Sequence, residues 1–356
     1  MEHSPVRSSD PVPDTQPQIL LAEPGRFERR SGPAPEPGPG EALVRVRHIG
    51  VCGTDIHAFR GRQPFFEYPR ILGHELGVEV VSVNGSAACP APGTRCAVEP
   101  YLNDPDSPAS LRGKTNCCES LRVLGVHCDG GMRPLLAVPA GKLHASPVLD
   151  TERLALVEML CIGRHAVERA RIESPDEFAL VLGAGPIGMS VLQFLKTATR
   201  RAAVADLDAG RLDFCRSSLG IDLTLLVPRG NPVDSGVLRD LGGDGRLPTV
   251  IFDATGSAAS MMSAFELAAH GGRLVFVGLF QGSVTFDDPN FHRRELTVMS
   301  SRNATAADFR ATIEAIETGR IDTAPWITHR LAFDEVPDRF AETIEIPAMR
   351  KTVIAV

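Results

Sequence analysis

The sequence lacks a long apolar segment, an excess of basic residues and the features of a secretory signal. No apolar run in its 356 residues approaches the roughly 18 residues that a membrane-spanning helix needs. The formal net charge of −7 argues against a nucleic-acid partner, because a phosphate backbone calls for clustered lysine and arginine. The N-terminus shows neither the basic region nor the apolar core of a signal peptide. We therefore expect a protein that binds neither membranes nor nucleic acids.

Cysteine usage points to a reducing compartment. Eight cysteines without a secretory signal are poor evidence for disulfides, so a cytoplasmic protein is expected. Metal binding or burial should then account for most of the thiols. The length allows two domains, and apolar residues at 43% with charged residues at 23% are ordinary for a globular chain.

The chain begins with a segment that is too polar to fold on its own. Residues 1–17 are rich in Pro, Ser and Asp, and they predict a disordered extension because they bury too little apolar surface to offset ordering entropy. Short strand patterns follow. Residues 41–48 alternate apolar and charged side chains at period 2, which is typical of a half-buried strand. We predict a small, barrel-like β domain over residues 18–157, to which residues 298–356 return.

The middle of the chain has a different pattern. From residue 178, strand and helix signals alternate, which predicts a parallel sheet covered by helices on both faces. We expect this α/β domain, a doubly wound Rossmann sheet, to span residues 158–297. It would be inserted into the β-rich domain built from both ends of the chain.

A glycine-rich loop joins the first of these strands to its helix. Residues 181–188 read VLGAGPIG, a G-x-G-x-x-G pattern. Gly183 allows the tight turn, Gly185 lets the backbone approach a pyrophosphate, and Gly188 lets helix and strand pack closely. The helix that opens there directs N–H groups at phosphates. The cofactor-site candidates in this loop are Gly183, Gly185, Pro186, Ile187 and Gly188.

An acidic residue closes the next strand. Asp206 ends RAAVAD, the position at which an acid accepts hydrogen bonds from the ribose hydroxyls and repels a 2′-phosphate. NAD is therefore favoured over NADP. Asp208 is a rival for this role, although it lies past the strand end. Arg211 leaves the alternative open, since a basic side chain can also accept a 2′-phosphate.

Four side chains form a candidate metal site: Cys52, His74, Glu75 and Glu158. Thiolate, imidazole and carboxylate are the ligands that zinc takes at a catalytic site with one open position. Taken singly, Cys52 reads as a buried structural thiol and His74 as a core histidine. Glu158 lies where the two predicted domains join, and such junctions often hold binding sites.

Together these motifs resemble the medium-chain zinc-dependent dehydrogenases, within them the polyol branch of sorbitol-, threonine- and sugar-acid-dehydrogenase-like enzymes. The resemblance covers about residue 18 to the C-terminus and rests on GVCGTDIH, PRILGHELGVEVV, VLGVHCDGGM, VEMLCIG, GAGPIG and HRRELTVMSSRNAT. It implies a GroES-like catalytic domain beside the Rossmann domain. It also implies that Cys52, His74 and Glu158 bind one catalytic zinc, with Glu75 ligating it directly or through water.

The resemblance implies roles for residues around this zinc. Asp55 should hydrogen-bond the imidazole of His74. Thr54 should receive the substrate hydroxyl proton, and His57 should pass that proton to solvent, although a surface histidine is the alternative for His57.

Three further positions are candidates by the same resemblance. Lys351 lies where the family has a basic contact to the pyrophosphate, with a solvated terminal lysine as the alternative. Arg302 lies where polyol dehydrogenases have an arginine that contacts substrate. Val277 is a further candidate for the cofactor site.

A second, structural zinc is not expected. Many relatives carry it on four cysteines spaced C-x2-C-x2-C-x7-C, but only the last matching position is a thiol here. Hydroxyls and a carboxylate do not make a tight zinc site. The matching positions are Asp104, Ser107, Ser110 and Cys118.

The expected activity is hydride transfer from a secondary alcohol of a polyol, sugar or sugar acid to NAD. The alternatives are oxidation of L-threonine or another amino- or cyclitol-alcohol, and aldehyde reduction on the same fold. A non-catalytic nucleotide-binding protein would be expected to have lost Cys52, His74, Glu158 or Thr54, and none is lost. The expected partner is a small-molecule alcohol, and the family implies a homodimer or homotetramer.

Overall fold

The structure is a computed structural model, and it describes residues 12–63, 66–85 and 89–356. The chain folds into two compact units. The first unit combines the chain up to Glu158 with Thr305–Val356, and the second unit is Met159–Ala304.

The strands are short, and in chain order they are β1 (Thr15–Glu23), β2 (Arg26–Pro33), β3 (Glu41–Gly50), β4 (Glu75–Val83), β5 (Arg95–Val98), β6 (Tyr101–Leu102), β7 (Arg122–Val123), β8 (Leu135–Pro139), β9 (Leu143–Ala145), β10 (Phe178–Leu182), β11 (Arg201–Asp206), β12 (Leu223–Leu226), β13 (Val250–Asp253), β14 (Arg273–Phe276), β15 (Thr297–Ser300), β16 (Ile327–Ala332) and β17 (Lys351–Ala355). The helices are α1 (Gly53–Phe59), α2 (Pro108–Leu111), α3 (Thr151–Leu154), α4 (Val157–Ala170), α5 (Pro186–Ala198), α6 (Ala209–Leu219), α7 (Ser235–Gly242), α8 (Ala258–Leu267), α9 (Asp288–Arg294), α10 (Ala306–Glu317) and α11 (Val336–Thr343).

The first unit is built on a mostly antiparallel sheet with β3 at its centre. The sheet runs β16-β17-β3-β4-β5-β9, and β8 also pairs with β3. Val44 and Val46 of β3 are fully buried, as the alternating pattern predicts. They belong to an apolar core that also takes in residues of β1, β4 and α11.

The register of β3, β4 and β17 brings one end of each strand to the same end of the sheet. Gly50 at the end of β3 lies opposite Glu75 at the start of β4. Gly50 also lies opposite Val353 of β17, in an antiparallel pair. The residues just beyond these pairs therefore meet at the same end of the sheet, and they include Cys52, His74 and Lys351.

The second unit is a parallel sheet of order β12-β11-β10-β13-β14-β15 among the described residues. Strands alternate with helices along the chain, which is the arrangement of a doubly wound fold. All five residues of β10 are buried, as expected for a central parallel strand. The predicted fold class, a GroES-like β-rich domain with a Rossmann sheet, is confirmed.

Some predicted boundaries differ from the structure. Residues 15–17 belong to β1, because they pair antiparallel with residues 31–33 of β2. The Gln16 side chain also accepts from Leu135 N at 2.7 Å and donates to Leu135 O at 3.0 Å. The prediction of disorder for residues 1–11 lies outside the described residues. The second unit extends to Ala304 and does not end at residue 297, because β15 pairs in parallel with β14.

No helix in the described part of the chain combines the length and the apolar character that a membrane crossing requires.

Candidate metal centre and nucleotide loop

Cys52, His74 and Glu75 come together in the structure, as their place at the paired ends of β3 and β4 requires. Their ligand atoms all lie within 4.8 Å of one another. Cys52 is the N-cap residue of α1, while His74 and Glu75 lie at the start of β4. His74 and Glu75 are buried and Cys52 is half-buried. A thiol, an imidazole and a carboxylate in this arrangement form a donor set that zinc prefers.

Asp55 connects two of these ligands. Its Oδ2 accepts a hydrogen bond from Cys52 N at 2.9 Å, which fixes Cys52 at the start of α1. Its Oδ1 lies 3.7 Å from Nδ1 of His74, which is longer than the hydrogen bond that the sequence predicts. Oδ1 of Asp55 and Nδ1 of His74 are therefore buried without a hydrogen-bond partner among the described residues.

Glu158 lies in the first turn of α4, near enough to His74 and Glu75 for their charges to act on it, but it is not among the residues whose ligand atoms lie within 4.8 Å of one another. It is 4% exposed, and its Oε1 accepts a hydrogen bond from the hydroxyl of Tyr101. Its Oε2 is buried and has no hydrogen-bond partner among the described residues. Oε1 of Glu75 is likewise buried and has no hydrogen-bond partner among the described residues. Because buried polar atoms are normally paired, these two oxygens fit a bound cation that would complete the site.

Lys351 is also part of this cluster, and its position corrects a prediction. Its Nζ forms an ion pair with Oε2 of Glu75 and donates to Val51 O at 3.0 Å. Lys351 is 2% exposed, so it is neither the solvated terminal lysine nor a free basic contact to a pyrophosphate. The reason is the register of β17 with β3, which carries Lys351 to the end of the sheet beside Cys52 and Glu75.

The electrostatics of the cluster favour a cation. Burial raises the pKa of Asp55 and of Glu158. Burial opposes the charged imidazole of His74, but Asp55 and Cys52 outweigh it, so the pKa of His74 lies well above its ordinary value. Burial also opposes the ammonium of Lys351, yet Glu75 and Cys52 raise its pKa. Both cationic groups are stabilised because anionic groups predominate around them.

The two predicted proton-transfer residues lie on α1. Thr54 is half-buried and His57 is exposed. Residues three apart on a helix are neighbours on its surface, so this placement is compatible with a proton passing from Thr54 through His57 to solvent. Their roles stay predictions.

The glycine loop of the second unit has the geometry that the motif predicts. Gly183 has a φ of +93°, a left-handed conformation that favours glycine. A Cβ at Gly188 would lie 1.8 Å from the carbonyl oxygen of Gly183, so only glycine lets α5 pack this closely on the loop. A Cβ at Gly185 would meet nothing within 4 Å, which leaves room for a ligand. Pro186 and Ile187 form the first turn of α5.

Asp206 anchors this loop. Its Oδ2 accepts from Ala184 N at 2.6 Å and its Oδ1 accepts from Asp208 N at 2.8 Å. Arg211 lies 4.0 Å from Oδ2. The rival Asp208 instead caps α6 by accepting from Arg211 N at 2.9 Å. Asp206 is therefore the acid that faces the glycine loop.

A cavity of about 720 Å³ opens beside this acid. Gly183, Gly185, Asp206 and Arg211 line it, together with residues that the sequence reasoning missed. Chief among the latter is Arg229, in the RGNP loop after β12. The position of Arg229 just after a strand could have identified it, because ligands of parallel sheets bind at the carboxyl ends of the strands.

Comparisons with known proteins identify the family of the chain. The family models of the alcohol dehydrogenase GroES-like domain and of the zinc-binding dehydrogenases match residues 38–148 and 186–318. The chain is 38% identical to the L-galactonate-5-dehydrogenase of Escherichia coli strain K12, over 92% of this chain and 94% of that relative. This chain is a zinc-binding dehydrogenase. The dehydrogenase is also 31% identical to human sorbitol dehydrogenase, over 90% of this chain and 91% of the relative.

Solved structures give the same fold. An alcohol dehydrogenase from Escherichia coli CFT073 in complex with NADH superposes with a TM-score of 0.88 at 27% identity, covering 97% of this chain and 100% of the other. A zinc-binding dehydrogenase from Sinorhizobium meliloti 1021 bound to NADP has a TM-score of 0.86 at 28% identity, covering 96% and 99%. The dehydrogenase is therefore an oxidoreductase of the zinc-type alcohol dehydrogenase class.

Two further candidate residues of the dehydrogenase, Val277 and Arg302, lie in its second unit. Val277 follows β14 and donates its N–H to Asp253 O, and it is absent from the residues that line the 720 Å³ cavity. Arg302 is exposed just after β15. Both stay predictions.

The residues that match a structural zinc site in relatives lie in a segment that we call the lobe, residues 103–120. The hydroxyl oxygens of Ser107 and Ser110 lie 2.9 Å apart, within hydrogen-bond distance, and Ser110 Oγ accepts from Asn103 Nδ2 at 3.0 Å. Cys118 Sγ accepts from Asp104 N at 3.3 Å. Ser107, Ser110 and Cys118 thus have hydrogen-bond partners within the lobe. With one thiol among the four matching positions, they are a poor donor set for zinc.

Proposed function

We propose that this dehydrogenase transfers a hydride from a secondary alcohol of a polyol, sugar or sugar acid to NAD. The observation that carries the proposal is the grouping of Cys52, His74 and Glu75 within 4.8 Å, with a buried carboxylate oxygen of Glu75 left without a partner among the described residues. Relatives named L-galactonate-5-dehydrogenase, 2-dehydro-3-deoxy-L-galactonate 5-dehydrogenase and sorbitol dehydrogenase support the substrate class.

We propose that Cys52, His74 and Glu158 hold one zinc, with Glu75 as a direct or water-mediated partner. Zinc bound there would act as a Lewis acid that lowers the pKa of an alcohol. The chain's own residues have separate tasks. Asp55 holds Cys52 in position and orients His74. The Thr54 hydroxyl takes the substrate proton, and the exposed His57 releases it to solvent.

The nucleotide loop supports NAD as the hydride acceptor. The N-terminus of α5 offers N–H groups to a pyrophosphate, and Asp206 lies beside it at the end of β11. A carboxylate at this point accepts hydrogen bonds from ribose hydroxyls and repels a 2′-phosphate. Arg211 and Arg229 also line the cavity, so the preference is a matter of degree.

A substrate panel tests the activity. Zinc-loaded protein with NAD would be assayed against aldonates, polyols, L-threonine, cyclitols and, in reverse with NADH, aldehydes. We expect the highest kcat/KM on an aldonate or polyol. A best substrate among the amino alcohols, cyclitols or aldehydes would favour the alternative activities. A protein that binds zinc and NAD yet turns over no alcohol would contradict the proposal.

Replacement of Asp206 tests the cofactor preference. Asp206→Gly should lower the ratio of kcat/KM for NAD over NADP by about 10- to 100-fold, the value of hydrogen bonds to a charged group. The matched control is Asp234→Gly, which removes the cap of α7, lies outside the residues that line the cavity and should leave that ratio unchanged. If the two variants shift the ratio equally, Asp206 does not decide the preference.

We also propose a homo-oligomer, dimer or tetramer, that acts in the cytoplasm. The family resemblance implies the first and the cysteine usage predicts the second. Analytical ultracentrifugation tests the assembly, and a sedimenting monomer would contradict it.

A further inference from the structure

Tyr101 contacts the candidate metal centre from outside the ligand set. It begins β6, is 2% exposed, and its hydroxyl donates to Oε1 of Glu158. We propose that Tyr101 is a positioning residue that selects Oε2 of Glu158 as the oxygen that faces the zinc. This inference rests on the zinc site of the proposed function and adds a residue to it.

The two oxygens of Glu158 have different surroundings. Tyr101 occupies Oε1, whereas Oε2 is buried with no partner among the residues that the structure describes. A carboxylate that is free to rotate could offer a metal either oxygen or both. A hydroxyl that holds one oxygen leaves the other as the ligand, so Glu158 binds through one atom.

Packing fixes the ring of Tyr101 in turn. Phe309 of α10, which is fully buried, lies edge-on to it with ring centroids 6.3 Å apart and planes at 76°. His144 stacks on Phe309 at 4.8 Å, and its Nε2 lies 3.0 Å from Oε2 of Glu99. Edge-to-face and stacked rings are preferred arrangements of aromatic pairs, so the chain of contacts holds the hydroxyl in one place.

This line of residues ends in a buried ion pair. Glu99 is 1% exposed, and its Oε1 lies 2.5 Å from Nζ of Lys142. Lys142 also donates to Asn103 Oδ1 at 2.8 Å. None of these side chains has a part in the proposed reaction. Their common effect is to restrict Tyr101, whose hydroxyl alone among them reaches a metal ligand.

The test is Tyr101→Phe, which removes the hydroxyl and keeps the ring. Groups that orient a metal ligand typically contribute 10- to 100-fold in metal affinity. We expect zinc affinity, measured by competition with a chromophoric chelator, to fall by about 10- to 100-fold. The visible spectrum of the Co²⁺-substituted protein should change as well, because the coordination of Glu158 is altered.

The chain offers a matched control. Tyr68 is its other tyrosine, and its hydroxyl donates to a backbone oxygen, Ala58 O. Tyr68→Phe should leave zinc affinity and the Co²⁺ spectrum unchanged. A loss of affinity that is equal in the two variants would mean general destabilisation and would overturn the proposal.

A double-mutant cycle shows whether Tyr101 acts through Glu158. In a Glu158→Ala background, Tyr101→Phe should cause no further loss of zinc affinity. A full further loss, or a single Tyr101→Phe variant with wild-type affinity and spectrum, would overturn the proposal. If the wild-type protein itself binds no zinc, the proposed function fails instead, and the two failures are thereby distinguished.

Discussion

The metal centre and the lobe lie in the same unit, and the family resemblance of the sequence associates both segments with zinc. The candidate ligands of the two regions differ in their hydrogen bonding. At the centre, Oε1 of Glu75 and Oε2 of Glu158 are buried without hydrogen-bond partners among the described residues. In the lobe, Ser107, Ser110 and Cys118 take part in hydrogen bonds within the lobe. The difference favours a metal at the centre, where buried oxygens lack partners, and it agrees with the prediction that the lobe needs none.

The chemistry of the donors agrees with this difference. The centre presents a thiol, an imidazole and carboxylates, whose negative charge a divalent cation would balance. The matching positions of the lobe present two hydroxyls, one buried thiol and the exposed carboxylate of Asp104, which accepts from Asp106 N at 3.0 Å. Groups with hydrogen-bond partners or access to solvent need no cation, whereas buried carboxylates without a cation are expensive.

The largest expected effect comes from removing one thiol at each place. Cys52→Ala should lose the catalytic zinc and lower kcat/KM by about 10³-fold or more, since Lewis acid catalysis is worth several kcal/mol. The matched Cys118→Ala should keep one zinc per chain and nearly all activity. Metal analysis and turnover measure both. Two zincs per wild-type chain, or loss of zinc from Cys118→Ala, would break the comparison.

A second effect concerns the ion pair at the centre. Lys351→Met leaves Glu75 as an uncompensated buried charge and should destabilise the zinc-free protein by about 3 kcal/mol. Added zinc should recover part of that loss, because a cation would then balance the carboxylate. Urea denaturation with and without a chelator measures the difference. Lys196→Met, at an exposed position of α5, is the control and should change the stability by less than about 0.5 kcal/mol. If Lys351→Met loses the same free energy of unfolding with and without zinc, Glu75 does not interact with the metal.

A third and smaller effect is expected in the lobe. Ser107 caps α2 by accepting from Ser110 N at 3.2 Å. Ser107→Ala should therefore cost about 1 kcal/mol in the free energy of unfolding. A chelator should not change this value, because we predict that the lobe binds no metal. Stability of the lobe that depends on the chelator would instead indicate a bound metal.

The parts of both regions that were predictable from the sequence are local ones. Cys52 with Asp55 and His74 with Glu75 are short motifs, and the register of β3 and β4 brings them together. The glycine loop is likewise contiguous, and Asp206 follows it by one helix and one strand. Such motifs can be recognised from the sequence because their residues are close together in the chain and do not depend on the pairing of distant segments.

The positions that could not be predicted depend on distant pairing. Lys351 reaches Glu75 only because β17 adds beside β3, and no local pattern encodes that register. Tyr101 meets Glu158 through packing between segments that are far apart in sequence. The strand β2 was missed for another reason: most of its side chains are exposed and many are charged, so it lacks the alternation that identifies a strand.

The smallest expected effect is a pH dependence confined to the lobe. Hydrogen bonds from Ser107 and Ser120 lower the pKa of Cys118 from 9.0 to about 7. An acid with a depressed pKa in the folded state adds stability that is complete above its ordinary value and is lost as the pH falls through the lower one. The lobe should therefore resist limited proteolysis better at pH 9 than at pH 7, the two ends of this interval. Cys118→Ser does not titrate in this interval, and its protection should be independent of pH there. The zinc content of the metal centre serves as an internal reference, since Cys118→Ser does not alter the ligands there. If the wild-type protein and Cys118→Ser show the same pH dependence of proteolysis, the thiolate does not stabilise the lobe.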